Sequence, residues 1–232
     1  MLSAVIIENA TARAPEVPEL PRRRLSRAQQ NEAKRRLLLA SALEVLTEQG
    51  YQAMTLEEVA ERAGFTRRPI YTLFGSKEQL ALALFIEQVT VVSRAATDVT
   101  PSRTLAGTLK RFARRHTEVA GSPQYRALYE LQLSLESIAL HDPAIKQEIR
   151  TFLDAQHEYL VMWLTNLCEV TGASFRLPID RVARVMEGSL SGLIHLGFLD
   201  ERYNKVDLRC ELLLALVAEA PASAAKPAAQ VG

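Results

Sequence analysis

Five side chains in one short run hold the chemistry of this sequence: Arg67, Arg68, Tyr71, Thr72 and Lys77. The two arginines are adjacent, and Tyr71 and Thr72 each follow one of them at i+4. On a helix that spacing sets guanidinium, phenol and hydroxyl side by side on one face. An arginine fork matches guanine O6 and N7 with two parallel hydrogen bonds, worth roughly 1–3 kcal/mol of discrimination. Phenol and hydroxyl reach phosphate or a thymine methyl. Lys77 stands at a helix start, where free N–H groups and the dipole already favour a phosphate. Thr55 and Thr66 precede two short helices, and each hydroxyl can cap its helix or meet a phosphate. Together these seven are the candidate contacts to duplex DNA.

Other chemistry finds no comparable support. The histidines His116, His141, His157 and His195 include no H-x-x-x-H pair, and no cysteine or carboxylate set stands at ligand spacing beside them. Cys168 and Cys210 give neither a metal spacing nor a disulfide framework, and both fall in apolar helical stretches, so buried free thiols are expected. There is no Gly-rich phosphate loop and no G-x-S-x-G. No enzyme activity, metal or cofactor is expected.

The elements that must position the five side chains are legible around them. Thr55 with Glu58 reads as a capping box, and Leu56, Val59, Ala60 and Ala63 form one apolar stripe. Gly64 falls where the stripe ends, a position suited to a left-handed backbone. Thr66 opens a second short helix that buries Ile70 and Phe74, and Pro69 lies in its first turn, where a missing N–H breaks no bond. Ser76 with Gln79 reads as another capping box. Helix, glycine turn, helix is the DNA-binding helix-turn-helix, whose second helix enters the major groove.

The segment A-G-F-T-R-R-P-I-Y-T-L-F-G-S-K-E-Q-L, preceded by G-Y-Q-A-M-T-L-E-E-V-A, resembles the signature of the TetR family of bacterial transcriptional regulators. The likeness spans roughly residues 30–85. Arg68 and Pro69 stand where that family usually has small residues, and Leu73 replaces a common aromatic or His, which alters the reading surface. The resemblance implies an all-helical second domain and a four-helix dimer interface formed by the last two helices and their symmetry mates.

Composition agrees with a helix-turn-helix head followed by a larger helical body. The chain has 232 residues, 48 % hydrophobic and 24 % charged, with a formal net charge of +1. Residues 1–77 hold 12 Lys/Arg against 9 Asp/Glu, and the remainder 16 against 18, so the basic character lies at the DNA-binding end. The expected organisation is a disordered extension at 1–25, a DNA-binding domain at 26–77, an effector-binding and dimerisation domain at 78–219, and a disordered tail at 220–232. Arg22, Arg23, Arg24 and Arg27, with Lys34, Arg35 and Arg36, form a basic arm suited to a minor groove or to phosphates, or simply to solubility. A first helix is expected over about Ser26–Gln49, ended by Gly50. No apolar run of membrane-spanning length and no signal peptide are read, so a cytoplasmic location is expected.

The body reads as helical throughout. Ser102, Ser122-Pro123 and Asp142-Pro143 look like helix starts, and a final helix is expected over about Val206–Ala218. Val185, Gly188, Ser189, Gly192 and Leu196 on one helix, with Leu212 and Leu216 on the next, are the candidate dimer interface, because small residues let backbones approach closely and each mid-helix glycine costs roughly 1 kcal/mol against Ala. His116, Tyr129, Gln132, Glu136, Gln156, Tyr159 and Trp163 are the candidate effector contacts: a few polar groups among apolar faces, suited to a small, largely apolar molecule, aromatic or cationic, with Glu136 as its carboxylate. The function read from this is a repressor that binds a palindromic operator as a homodimer and is released by a small effector. Control by a protein partner in place of a ligand is the alternative. A DNA-processing enzyme would need a nucleophile with clustered arginines outside the head, and none is found.

Overall fold

The structure, a computed structural model, describes residues 26–218. The expectations for the stretches 1–25 and 220–232, including the arginines at 22–24, lie outside the described residues. Those residues form nine α-helices: α1 Arg27–Ala53, α2 Leu56–Arg62, α3 Arg67–Phe74, α4 Lys77–Thr97, α5 Leu105–Ala120, α6 Pro123–Ala139, α7 Pro143–Thr171, α8 Ile179–Leu199 and α9 Val206–Ala215. The fold is all-α.

The helix starts follow local chemistry. Ser26 and Gln29 form a complete capping box, each side chain bonded to the other's backbone N–H. The boxes at Thr55 and Ser76 are only half made. Thr55 Oγ1 accepts from Glu58 N at 3.2 Å, but the Glu58 carboxylate instead accepts from Gln49 at 2.6 Å. Gln79 likewise sends its amide to Glu148 on α7, 3.0 Å away. Ser122 and Asp142 cap α6 and α7 with proline in the first turn.

Three boundaries differ from the sequence reading. Gly50 does adopt φ 77, yet one further turn, Tyr51–Ala53, follows before α2, closed by Met54 N donating to Gly50 O. The cap of α5 is Thr104, not Ser102, because the Thr104 hydroxyl accepts from Gly107 N while Ser102 N donates to Thr108 Oγ1. The last helix stops at Ala215 because the chain turns to pair with residues 174–176: Arg176 N donates to Leu216 O and Ala218 N to Ser174 O, both within 2.9 Å.

Two apolar cores hold the helices together. One joins α1, α2, α3 and the first half of α4 to α6 and the start of α7, through Leu38, Val45, Ile70, Leu84, Leu131 and Phe152. The other joins α5, α8, α9 and the end of α7, through Leu109, Phe112, Leu164, Met186 and Leu213. α4 enters both, with Leu80–Phe85 in the first and Ala96 in the second. By length and composition α4 is also apolar enough to cross a membrane, which corrects the expectation of no such run. It is apolar because Leu80, Ala81, Leu82 and Leu84 are fully buried between neighbouring helices, at roughly 1.5–3 kcal/mol per large side chain.

Candidate functional site

The turn between α2 and α3 is built by backbone geometry. Gly64 takes φ 74, Phe65 N donates to Ala60 O at 2.8 Å, and Gly64 N donates to Glu61 O at 2.9 Å. This is a Schellman closure, in which the left-handed residue lets two otherwise orphan carbonyls find donors. It sets α3 so that Ile70 and Phe74 are buried while Thr66, Arg67, Arg68, Tyr71 and Thr72 are exposed. Thr66 makes no capping bond, so its hydroxyl is not committed to the helix. Thr55 is exposed but uses its hydroxyl to cap α2.

On that surface Glu57 of α2 organises its neighbours. The Tyr71 hydroxyl donates to Glu57 Oε1 at 3.0 Å, and Arg67 Nη1 lies 3.6 Å from the same oxygen. Its own backbone N–H, then the Tyr71 hydroxyl and the Arg67 charge, hold the Glu57 carboxyl below the usual range, and that bond raises the Tyr71 phenol. The Arg68 guanidinium makes no bond among the described residues, whereas its carbonyl accepts from Thr72 Oγ1 at 2.8 Å. Lys77 departs from a free phosphate contact: its Nζ donates to Gln52 O at 3.0 Å and lies 4.5 Å from the centre of the Tyr51 ring. That ammonium ties the end of α1 to the start of α4, leaving two of its three N–H donors for solvent or phosphate. Glu57 was not among the sequence candidates, since an acid in the first turn of a helix reads simply as a complement to the dipole.

The seven effector candidates do not come together. Tyr129, Gln132 and Glu136 line a groove of about 510 Å³ between α6 and α8, with Tyr125, Leu133 and His195. There the Tyr129 hydroxyl meets His195 Nδ1, its ring stacks on Phe198, and Gln132 donates to Glu136 at 2.7 Å. Gln156 and Tyr159 line a different groove of about 490 Å³ between α4 and α7, bonded to Thr90 and Thr97. His116 and Trp163 lie at a third place, both against Phe112, with ring centres 5.6 and 5.2 Å from it. Helical spacing assigns a residue to a face but not to the helix it will meet, which is why one list became three sites. A larger cleft of about 690 Å³, where α1 meets α6 and α8, contains none of the seven; Gly50, Arg126, Glu130 and Phe198 line it.

Beside His116 lies a residue the sequence reading passed over. Arg209 of α9 is fully buried, its Nη1 donates only to the Tyr203 and Lys205 carbonyls, and its Nε and Nη2 have no partner among the described residues. His116 Nδ1 is likewise sealed and unpartnered. Burial, then the Arg209 charge, pushes His116 down to about 4, so its imidazole is neutral at pH 7. The signal was present in the sequence: a single arginine flanked by Leu208, Cys210, Leu212 and Leu213.

The interface candidates on α8 form an outward stripe. Val185 and Leu196 are each 38 % exposed, Gly188 is exposed, and Ser189 and Gly192 are half-buried. Leu199, not among the candidates, extends the stripe at 76 % exposure. Leu212 of α9 and Leu216, just past its end, are half-buried and pack on the chain's own second core. Cys168 and Cys210 are free and half-buried, and burial raises both thiols. Among the described residues no group of three or more His, Cys, Asp or Glu is placed to hold a metal ion.

Known proteins agree with this geometry. Residues 38–84 match the bacterial regulatory proteins of the tetR family. The HTH-type transcriptional regulator BetI of Rhizobium meliloti is 25 % identical over 163 residues, 67 % of this chain and 72 % of that protein. The multidrug binding protein EbrR, solved with imidazole, superposes with a TM-score of 0.63 at 19 % identity, over 90 % of this chain and all of that one. FadR of Bacillus subtilis, solved with stearoyl-CoA, gives a TM-score of 0.58 at 22 % identity, over 79 % and 97 %. With the helix-turn-helix and its exposed basic helix, these matches place the chain in the TetR family of DNA-binding transcriptional regulators.

Proposed function

We propose that this regulator is a repressor that docks on a palindromic operator as a homodimer and lets go when a small molecule occupies its helical body. A head over 26–77, a body over 78–219 and a cytoplasmic site of action go with that reading. The observation that carries it is α3 itself, with two faces of opposite character. Ile70 and Phe74 anchor it in the core while Thr66, Arg67, Arg68, Tyr71 and Thr72 face outward. Glu57 takes the contacts for which a phosphate oxygen would compete, so Arg67 and Tyr71 are already aligned before DNA arrives.

Release by an effector is supported by α6. Its Leu128, Leu131 and Leu135 lie in the core shared with the head, while Tyr129, Gln132 and Glu136 face the groove against α8. A ligand that shifts α6 therefore acts on α1 and α4 directly. Relatives solved with stearoyl-CoA or imidazole favour a ligand over a protein partner.

The test is selection of binding sites from a random duplex pool, followed by anisotropy titration of the selected duplex. A two-fold site with half-sites about one turn apart, ~34–36 Å, is expected. Arg67→Ala should then weaken the selected duplex by roughly 1–3 kcal/mol while sparing a scrambled one. An asymmetric site, or equal loss on both duplexes, refutes the reading.

A further inference from the structure

The interior of the body contains a cation without an anion. Arg209 is fully buried, and neither its Nε nor its Nη2 has a partner among the described residues. Buried charges are ordinarily paired, because an unpaired ion in a poorly polarisable interior is strongly disfavoured. The groups around it do not neutralise it. His116 presents an unpartnered Nδ1, and Tyr125 supplies a phenol raised to about 12 by burial. Beyond His116 the surroundings are apolar: Phe112, then Trp163.

Tyr125 links this place to the surface: it feels the Arg209 charge and also lines the α6–α8 groove. The one carboxylate lining that groove, Glu136, stands eleven residues further along α6, about 16 Å away along the helix axis, and already accepts from Gln132.

We propose that Arg209, with His116 and Tyr125 beside it, is the head-group receptor for an anionic effector, a carboxylate on an apolar chain that enters by the α6–α8 groove. The inference rests on the ligand-responsive reading above and replaces a cationic effector with an anionic one. Arginine's planar fork fits a carboxylate with two parallel bonds through the donors left open here. A neutral imidazole can add a third donor without competing for the anion's place. The apolar body of the ligand would lie against Phe112 and Trp163.

Three probes of equal chain length separate the possibilities: dodecanoate, 1-dodecanol and dodecyltrimethylammonium, each below its micellar concentration. Binding is followed by fluorescence of Trp163, the sole tryptophan, and by the thermal midpoint of the full chain. Dodecanoate should quench Trp163 saturably and raise the midpoint, and it should do so far more strongly than the other two. Arg209→Met should lose dodecanoate affinity by roughly 10- to 100-fold, the contribution of hydrogen bonds to a charged group, while the ligand-free protein becomes no less stable. Should Arg209→Met fail to fold, Arg209→Lys keeps the cation but loses the fork, and should still bind dodecanoate several-fold more weakly. Equal binding of dodecanoate and dodecanol, preference for the ammonium, or unchanged dodecanoate affinity in both variants overturns the proposal. Inorganic phosphate giving the same midpoint rise as dodecanoate would overturn the apolar chain as part of the ligand. Operator binding measured alongside keeps the outcomes apart, since a protein that binds its palindrome but ignores dodecanoate loses this inference and not the repressor reading.

Discussion

Replacing Gly188 and Gly192 together by alanine asks whether the α8 stripe is a surface or an interface, because the two cases give opposite signs. Both glycines lie inside a helix with ordinary backbone angles, and a Cβ added at either meets no atom within 4 Å in the single chain. Helix propensity then acts alone, and each Gly→Ala change stabilises by roughly 0.8–1.0 kcal/mol, about 2 kcal/mol for the pair. In a chain of this size that raises the thermal midpoint by about 4–8 °C. If the stripe packs against a second copy, four methyl groups enter a contact already closed to van der Waals distance. Overpacking of that kind costs about 1–3 kcal/mol per site, which outweighs the gain and weakens the dimer tenfold or more. Gly197 supplies the internal control: a Cβ there meets Asn204 Cβ at 3.2 Å, so Gly197→Ala should forgo the full propensity gain within the single chain. Sedimentation equilibrium gives the dimer constant, and melts at two protein concentrations separate dissociation from unfolding, since a dimer's midpoint depends on concentration. A double variant that is more stable and equally dimeric would show that the chain associates through another face.

Two further outcomes test the head and the body separately. Gly64→Ala should destabilise the head by about 1 kcal/mol in urea unfolding, through φ 74 alone, since its added Cβ touches nothing; an unchanged midpoint would refute the strain argument. In the body, His157 of α7 is clamped between Asp180 at 2.9 Å and Glu187 at 3.1 Å, with Arg184 also bonded to Asp180. The Asp180 bond, then Glu187, raises its pKa above the ordinary 6.5, while Arg184 opposes them and Asp180 is lowered in turn. A raised pKa in the folded state means that this α7–α8 clamp is fully present below pH 6.5 and is lost as pH climbs through the higher folded value. The thermal midpoint of the natural protein should therefore fall more between pH 6 and 8 than that of His157→Gln, and parallel curves would refute the clamp.

What could be read from the sequence divides along physical lines. Caps and turns are decided by residues three to six apart, so the Ser122-Pro123 and Asp142-Pro143 starts, the Thr55 cap and the Gly64 turn were legible before any fold was known. The exposed face of α3 was equally legible, because Ile70 and Phe74 alone fix which side is buried. Partners far apart in sequence were not. Nothing local says that Gln79 would leave its box for Glu148 on α7, or that the Lys77 ammonium would settle on the Gln52 carbonyl and the Tyr51 ring. The end of α9 was lost for the same reason, since its pairing partner lies some forty residues earlier at Phe175. The scattered effector candidates show this limit most plainly. His116, Tyr129 and Gln156 each lie on a partly apolar face, yet each face meets a different neighbour.

How a ligand in the body could loosen a head on DNA follows from α4 more than from any single contact. Its 21 residues span roughly 31 Å, and its two ends are buried in different cores. A tilt of about 5° about one end would move the other by about 3 Å. In a symmetric pair the two heads move in opposite senses, so their separation changes by about twice that, against a half-site spacing of ~34–36 Å. Such a mismatch spoils simultaneous docking without unfolding anything. The free energy must come from the ligand: turning 99:1 into 1:99 needs about 5.5 kcal/mol of differential binding, under 3 kcal/mol for each of two sites in a dimer. A buried guanidinium whose open donors are satisfied only when an anion arrives is a source of that order, because hydrogen bonds to a charged group contribute roughly 1.5–3 kcal/mol each. On this account Trp163 quenching and loss of operator affinity must follow the same dodecanoate concentration. Two separated curves would mean that Arg209 binds an anion without driving the switch.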